Sequence, residues 1–70
     1  MTVELKELFK DLKKNKWNLK ENEVHLVATF AMMLNEKKSA YCPWGKYVRI
    51  FRNYGFRIET EKDGFWRISR

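Results

Sequence analysis

The three glycines and the single proline of this 70-residue chain all lie in residues 43–70, as Pro43, Gly45, Gly55 and Gly64. These two residue types are the strongest punctuators of local structure. Residues 1–42 therefore contain nothing that forces a break, and only caps and polar turns can end an element there. The remainder is cut into short pieces. Long helices first and small elements afterwards is the arrangement this distribution allows. Seventy residues make one domain, residues 1–70.

Leu5, Leu8, Phe9 and Leu12 fall at i, i+3, i+4 and i+7, one stripe of an amphipathic helix. Thr2 suits its N-cap, and Lys13, Lys14 and Lys16 suit the negative end of its dipole. Asn15 and its successors break the pattern. Asn18 with Glu21 three residues on has the form of a capping box and predicts the start of a second helix. Val24, Val27, Ala31 and Leu34 form one stripe of that helix, with Leu26, Phe30 and Met33 beside it. So broad an apolar face predicts a helix covered on two sides and ending near Asn35 to Lys38. Met32 and Met33 read as core filler, although paired methionines also suit an adaptable interface.

Pro43 fits the first position of a third helix, where a missing N–H costs nothing. Trp44, Tyr47, Val48, Phe51 and Tyr54 then share one side. Gly45, Lys46, Arg49, Arg52 and Asn53 share the other, with Arg49 at its centre. Gly55 suits a left-handed C-terminal position, with Phe56 as the apolar residue after it.

The segments Phe56–Glu61 and Phe65–Arg70 alternate with period two around Lys62-Asp63-Gly64. A two-residue loop at Asp63-Gly64 would set Glu59 against Ile68, a charge against a core residue. A three-residue loop pairs Ile58 with Ile68, Thr60 with Trp66 and Glu59 with Arg67, which keeps the faces consistent. That register leaves Phe65 on the polar face. The expected fold class is α+β: three helices followed by a C-terminal β-hairpin.

Residues 37–58 hold Lys37, Lys38, Lys46, Arg49, Arg52 and Arg57 and no Asp or Glu. Elsewhere nine acids meet nine bases, so the whole net charge of +6 sits in this stretch. Exposed helices usually mix signs through i,i+4 pairs, and this third helix does not. A basic helix leading into a hairpin suits a polyanion.

The run Lys46-Tyr47-Val48-Arg49-Ile50-Phe51-Arg52-Asn53-Tyr54-Gly55-Phe56-Arg57-Ile58 resembles the recognition helix and first wing strand of biotin-repressor-like winged helix-turn-helix domains. Gly64-Phe65-Trp66-Arg67-Ile68 is similar to the run that closes the wing there and in response-regulator output domains. The resemblance implies a winged-helix-like fold and DNA binding through the third helix. This chain departs from the pattern twice. Only Glu36 to Cys42 separates the second and third helices, too little for a further helix, and the wing tip from Glu59 to Asp63 carries three acids and one Lys.

Arg can bind guanine O6 and N7 in bidentate fashion, Asn can pair with adenine, and Lys can meet phosphate. Lys46, Arg49 and Asn53 are therefore expected to read or anchor duplex DNA, and Lys37, Lys38, Arg52 and Arg57 to neutralise its backbone. Gly45 would allow close approach to the groove, or equally close packing. A compact basic chain of this kind is associated with transcription regulators of phage or mobile elements. The rival reading is a protein-interaction module or inhibitor on the same scaffold, binding an acidic protein partner. Phe65 and Tyr41 fit the core pattern least and are its candidate contacts. Trp44, Tyr47, Phe51, Tyr54 and Trp66 could stack on bases, but their spacing assigns them to the core.

Catalytic chemistry has little to work with. His25 and Cys42 are single residues of their kinds, without ligand or dyad spacing, so no catalytic residue, metal or cofactor is expected. One cysteine forms no internal disulfide, which fits a reducing, cytoplasmic setting. The weakly polar run Leu26 to Leu34 is under half of the ~20 residues that a membrane span needs. A core this small is marginal, since such a chain buries only about 60% of its unfolded surface. Aromatics, 16% of the residues, are placed to meet that shortfall, and a homodimer could also supply it.

Overall fold

A computed structural model of the chain describes residues 2–60 and 63–69. Helix α1 spans Val3–Lys13. Its N-cap is Thr2, whose Oγ1 accepts the Leu5 N–H at 3.3 Å, and Leu5, Leu8 and Leu12 are buried. Asn15, with φ at 50°, then turns the chain. Its side chain clasps Leu19: Oδ1 accepts the Leu19 N–H at 2.7 Å and Nδ2 donates to the Leu19 carbonyl at 3.0 Å. Both polar main-chain groups of Leu19 are thus satisfied while its side chain is buried.

Helix α2 spans Glu21–Lys37. Its cap is not Asn18, which adopts a left-handed conformation with φ at 55°; Asn tolerates that region and belongs to the turn instead. The N-cap is Lys20, whose N–H donates to Glu23 Oε1 at 3.0 Å. That is the reach-back half of a capping box, built by Glu23 in place of Glu21. Val27, Phe30, Ala31 and Leu34 are buried. Met32 is 52% exposed, a correction to its reading as core filler. It lies about 100° round the helix from Ala31, outside the covered face. The helix ends as expected, with Lys38 in the left-handed region at φ 65° and its N–H bonded to the Leu34 carbonyl.

Immediately after that turn comes a strand absent from the sequence expectations, β1 at Ser39–Cys42. Two further strands follow helix α3, β2 at Arg57–Thr60 and β3 at Trp66–Ser69. They form one antiparallel sheet in the order β1-β3-β2. The β2–β3 register is the expected one, with Ile58 opposite Ile68, Glu59 opposite Arg67 and Thr60 opposite Trp66. In the β1–β3 pair, Ala40 meets Ile68, Tyr41 meets Arg67 and Cys42 meets Trp66. Each row therefore crosses all three strands. The expected three-residue loop includes Lys62, which lies outside the described residues. Gly64 has a positive φ of 80°. The chain is an α+β fold of three helices and a three-stranded sheet.

Helix α3 spans Gly45–Arg52 with Trp44 as N-cap, so Pro43 stands outside the helix and not at its first turn. Displaced from the helical stripe, Trp44 is 48% exposed, its ring edge-on to Tyr47 at 6.0 Å. Tyr47, Val48, Ile50 and Phe51 are buried. Phe51 is wholly enclosed, its ring T-shaped to Phe56 at 6.0 Å. Gly45 faces the sheet: a Cβ there would sit 3.6 Å from the Trp66 ring. Gly45 therefore does not lie on the outer side of the helix, and the space at the Trp66 ring would admit a methyl at ordinary contact. Gly55, at φ 87°, makes the left-handed turn into β2.

Candidate nucleic-acid interface

The outer side of α3 carries Lys46, Arg49, Arg52 and Asn53, all exposed. Arg49 and Arg52 are three residues apart and Arg49 and Asn53 four, so the three share one helical face. Asn53 is the C-cap, its N–H bonded back to Arg49 and Ile50 carbonyls. Among the described residues no acid pairs with Arg49 or Arg52.

Lys46 is held differently. Its Nζ lies 2.9 Å from Glu23 Oε2, the same oxygen that accepts the Tyr47 hydroxyl at 2.7 Å. With Oε1 on the Lys20 N–H, one carboxylate ties the first turn of α2 to the first turn of α3. The Lys20 amide, the Tyr47 hydroxyl and Lys46, in that order, hold the Glu23 carboxyl down to about 2 from an ordinary 4.5. The same bond raises the Tyr47 hydroxyl. At the other end of α3, the Tyr54 hydroxyl donates to Asp11 of α1. Burial first, and Asp11 second, raise that phenol. Both ends of α3 are thereby tethered to the other helices through tyrosine hydroxyls and carboxylates, with Arg49 in the free middle.

The sequence candidates divide between two surfaces. Strand alternation puts Ala40, Ile58 and Ile68 on the face of the sheet toward the core, where Ala40 and Ile68 are fully buried. Arg57, Glu59, Tyr41 and Arg67 consequently lie on the outer face. Arg57 is exposed there and shares a row with Ser39 and Ser69. Lys37 and Lys38 are exposed at the end of α2, next to that same row. From the first turn of α3 they are separated by β1, roughly 13 Å for four residues. Strand β1 also means that α2 and α3 are not joined by a tight helix–turn–helix connection.

Tyr41 and Phe65 are 52% and 41% exposed. Arg67, directly opposite Tyr41 and two residues after Phe65, has Nη1 3.9 Å from Glu59 and a buried Nε that has no partner among the described residues. Sequence reasoning paired Arg67 with Glu59 but assigned it no site role, and it missed Glu23 altogether. Glu23 had one legible signal, its place three residues past a polar turn at the head of a helix.

His25 is exposed on α2, whereas Cys42 is fully buried on β1. The Cys42 sulfur accepts the Trp44 N–H at 3.4 Å and donates to the Trp44 carbonyl at 3.3 Å, and burial raises its thiol. Among the described residues no three His, Cys, Asp or Glu side chains gather as a metal site would need. No helix of the described residues is long and apolar enough to cross a membrane. Neither a family model nor a curated protein nor a solved structure matches this chain.

Proposed function

We propose that the protein binds duplex DNA through the exposed face of α3, as a small regulator of winged-helix type. The observation that carries this is the helix's sorted surface: four large apolar residues inward, Arg49, Arg52 and Asn53 outward, and no acid anywhere in its own sequence. Packing fixes the inner side, and the tethers at Glu23 and Asp11 fix both ends, so the outward side chains sit on a rigid support. Arg49 is the central reader, with Asn53 beside it. Arg52, with Lys37, Lys38 and Arg57 on neighbouring surfaces, meets phosphates. Lys46 contributes to phosphate binding only when it leaves Glu23. The strand order β1-β3-β2, with the β2–β3 hairpin following the third helix, is compatible with a winged-helix arrangement.

NMR titration with random-sequence duplex tests the assignment. The amides of α3 should move together, centred on Arg49. Neutralising four to six phosphates gives log K against log salt a slope of roughly −4 to −5. Movement confined to the sheet, with a shallow salt slope, would count against α3. That result would favour the second reading, a protein-interaction module, which draws on the exposure of Tyr41 and Phe65.

A further inference from the structure

Folding leaves two rings uncovered on one side of the sheet. Tyr41 stands on β1, directly across from Arg67 on the central strand. Phe65 immediately precedes β3, two residues before Arg67, and is 41% exposed; continuing the alternation of the strand puts it on the same side. Across adjacent strands such a diagonal pair is roughly 7–8 Å apart, within reach for large side chains. Among the described residues neither ring belongs to an aromatic pair. Among the described residues the Arg67 guanidinium beside them has one carboxylate, 3.9 Å away, and an Nε without a partner. Arg57 adds a second cation to this face, and among the described residues of β1, β2 and β3 Glu59 is the acid on it.

We propose that this outer face, Tyr41 and Phe65 beside Arg67, is a stacking platform for the unpaired bases of a single-stranded nucleic acid. Every base offers a flat π-face, so two rings on a rigid sheet can hold two bases without reading their sequence. Arg57 and Arg67 supply the phosphate contacts that the bound strand brings near. A protein partner fits this face less well. A stable protein interface takes about 800 Å² from each side, roughly a sixth of this molecule's 5005 Å² surface. The apolar part of this face is two rings among Ser39, Ser69, Glu59 and the arginines. The platform shares Arg57 with the duplex reading but takes no residue from α3, which has exposed cations but no ring on its outer side.

Fluorescence anisotropy with short labelled strands decides the matter. Oligothymidine, oligouridine, an abasic strand of equal charge and a random duplex serve as probes. Tyr41→Ala and Phe65→Ala should each weaken binding of the base-bearing strands roughly 5- to 150-fold. Both should leave duplex affinity unchanged, and the abasic strand should bind the unaltered protein far less well. Tyr41→Phe and Phe65→Tyr, which keep the rings, should retain affinity. The comparison of thymidine with uridine strands identifies DNA or RNA as the ligand. The platform is overturned if the double alanine variant, folded by circular dichroism, binds oligothymidine and oligouridine as the unaltered protein does. Equal binding of the abasic strand, or no strand binding at all, overturns it too and leaves the rings to a protein contact. Arg49→Ala separates the two surfaces: it should weaken duplex binding alone, so the α3 reading and the platform can fail one without the other.

Discussion

Helix α3 and the outer face of the sheet both reach solvent with arginines, yet folding has treated them in opposite ways. On α3 a 3.6-residue period sorts the chain cleanly: Tyr47, Val48, Ile50 and Phe51 are buried and the cations remain outside. Trp44, the N-cap, is the apolar exception at 48% exposed. On the sheet that sorting fails. Tyr41 and Phe65 stay 52% and 41% exposed beside Arg67, whose side chain is 43% exposed, so the rings gain no more cover than the cation. An exposed cation on a helix is what folding leaves by default. Two exposed rings beside a half-covered arginine have no account in stability, and they are therefore the more informative signal.

The contrast breaks first at Phe51. If its ring anchors α3 as described, Phe51→Ala should destabilise the domain by ~3–5 kcal/mol, close to unfolding a protein of this size. Chemical denaturation measures it, and a shift well under 1 kcal/mol would mean that the inner side of α3 is misassigned. Arg49→Ala addresses the outer side. Stability should hold within about 0.5 kcal/mol, while duplex affinity falls by ~1–3 kcal/mol where a base is read. A phosphate contact would instead lower affinity evenly across sequences and shrink the salt slope by about one. Unchanged affinity for every duplex would leave the sheet as the working surface.

Acid titration probes the tether that makes α3 rigid. The folded carboxyl of Glu23 lies below its unfolded value, so its stabilisation is present above about 4.5 and is lost as pH falls toward about 2. Glu23→Gln should remove that part of the acid dependence and free Lys46 from its partner. Equilibrium unfolding of both proteins across this window tests it, and parallel pH profiles would refute the tether. The smallest expected effect has the opposite sign. Gly45 lies in helical backbone, with room for a methyl at an ordinary 3.6 Å from Trp66. Gly45→Ala should therefore stabilise by about 0.4–1 kcal/mol, read from the melting midpoint. A loss of stability would show that helix and sheet are packed more tightly there than described.

Local patterns in the sequence carried most of the fold. The stripe of α1 with its Thr2 cap, the end of α2 at Lys37, and the pairing of Ile58 with Ile68 all follow from neighbours within a few residues. What escaped was non-local. Strand β1 is four residues long, and its partner Trp66–Ser69 lies beyond a helix and another strand. Its single weak mark was small apolar Ala40 and Cys42 alternating with Ser39 and Tyr41. Placing Pro43 inside the helix followed from overlooking that strand, and it drew Trp44 into a stripe it does not join. At the candidate site, periodicity alone named the outward residues of α3. Glu23 could not be linked to Lys46 and Tyr47, which lie 23 and 24 residues further along the chain. Tyr41 and Phe65 were conspicuous because they fitted no core pattern, and that misfit is what the sheet exposes.

The sulfur of Cys42 has a use that its burial creates. It sits where β1 ends, bonded to both main-chain groups of Trp44, the residue that starts α3. A thiol reagent cannot reach it while strand and helix stay together, and its raised pKa leaves little thiolate near neutrality. Its labelling rate is then a clock for separation of those two elements. Under fast reclosing the rate reports the population of the opened form. One native atom can thus time, without any engineered probe, how often the seam between the two surfaces comes apart.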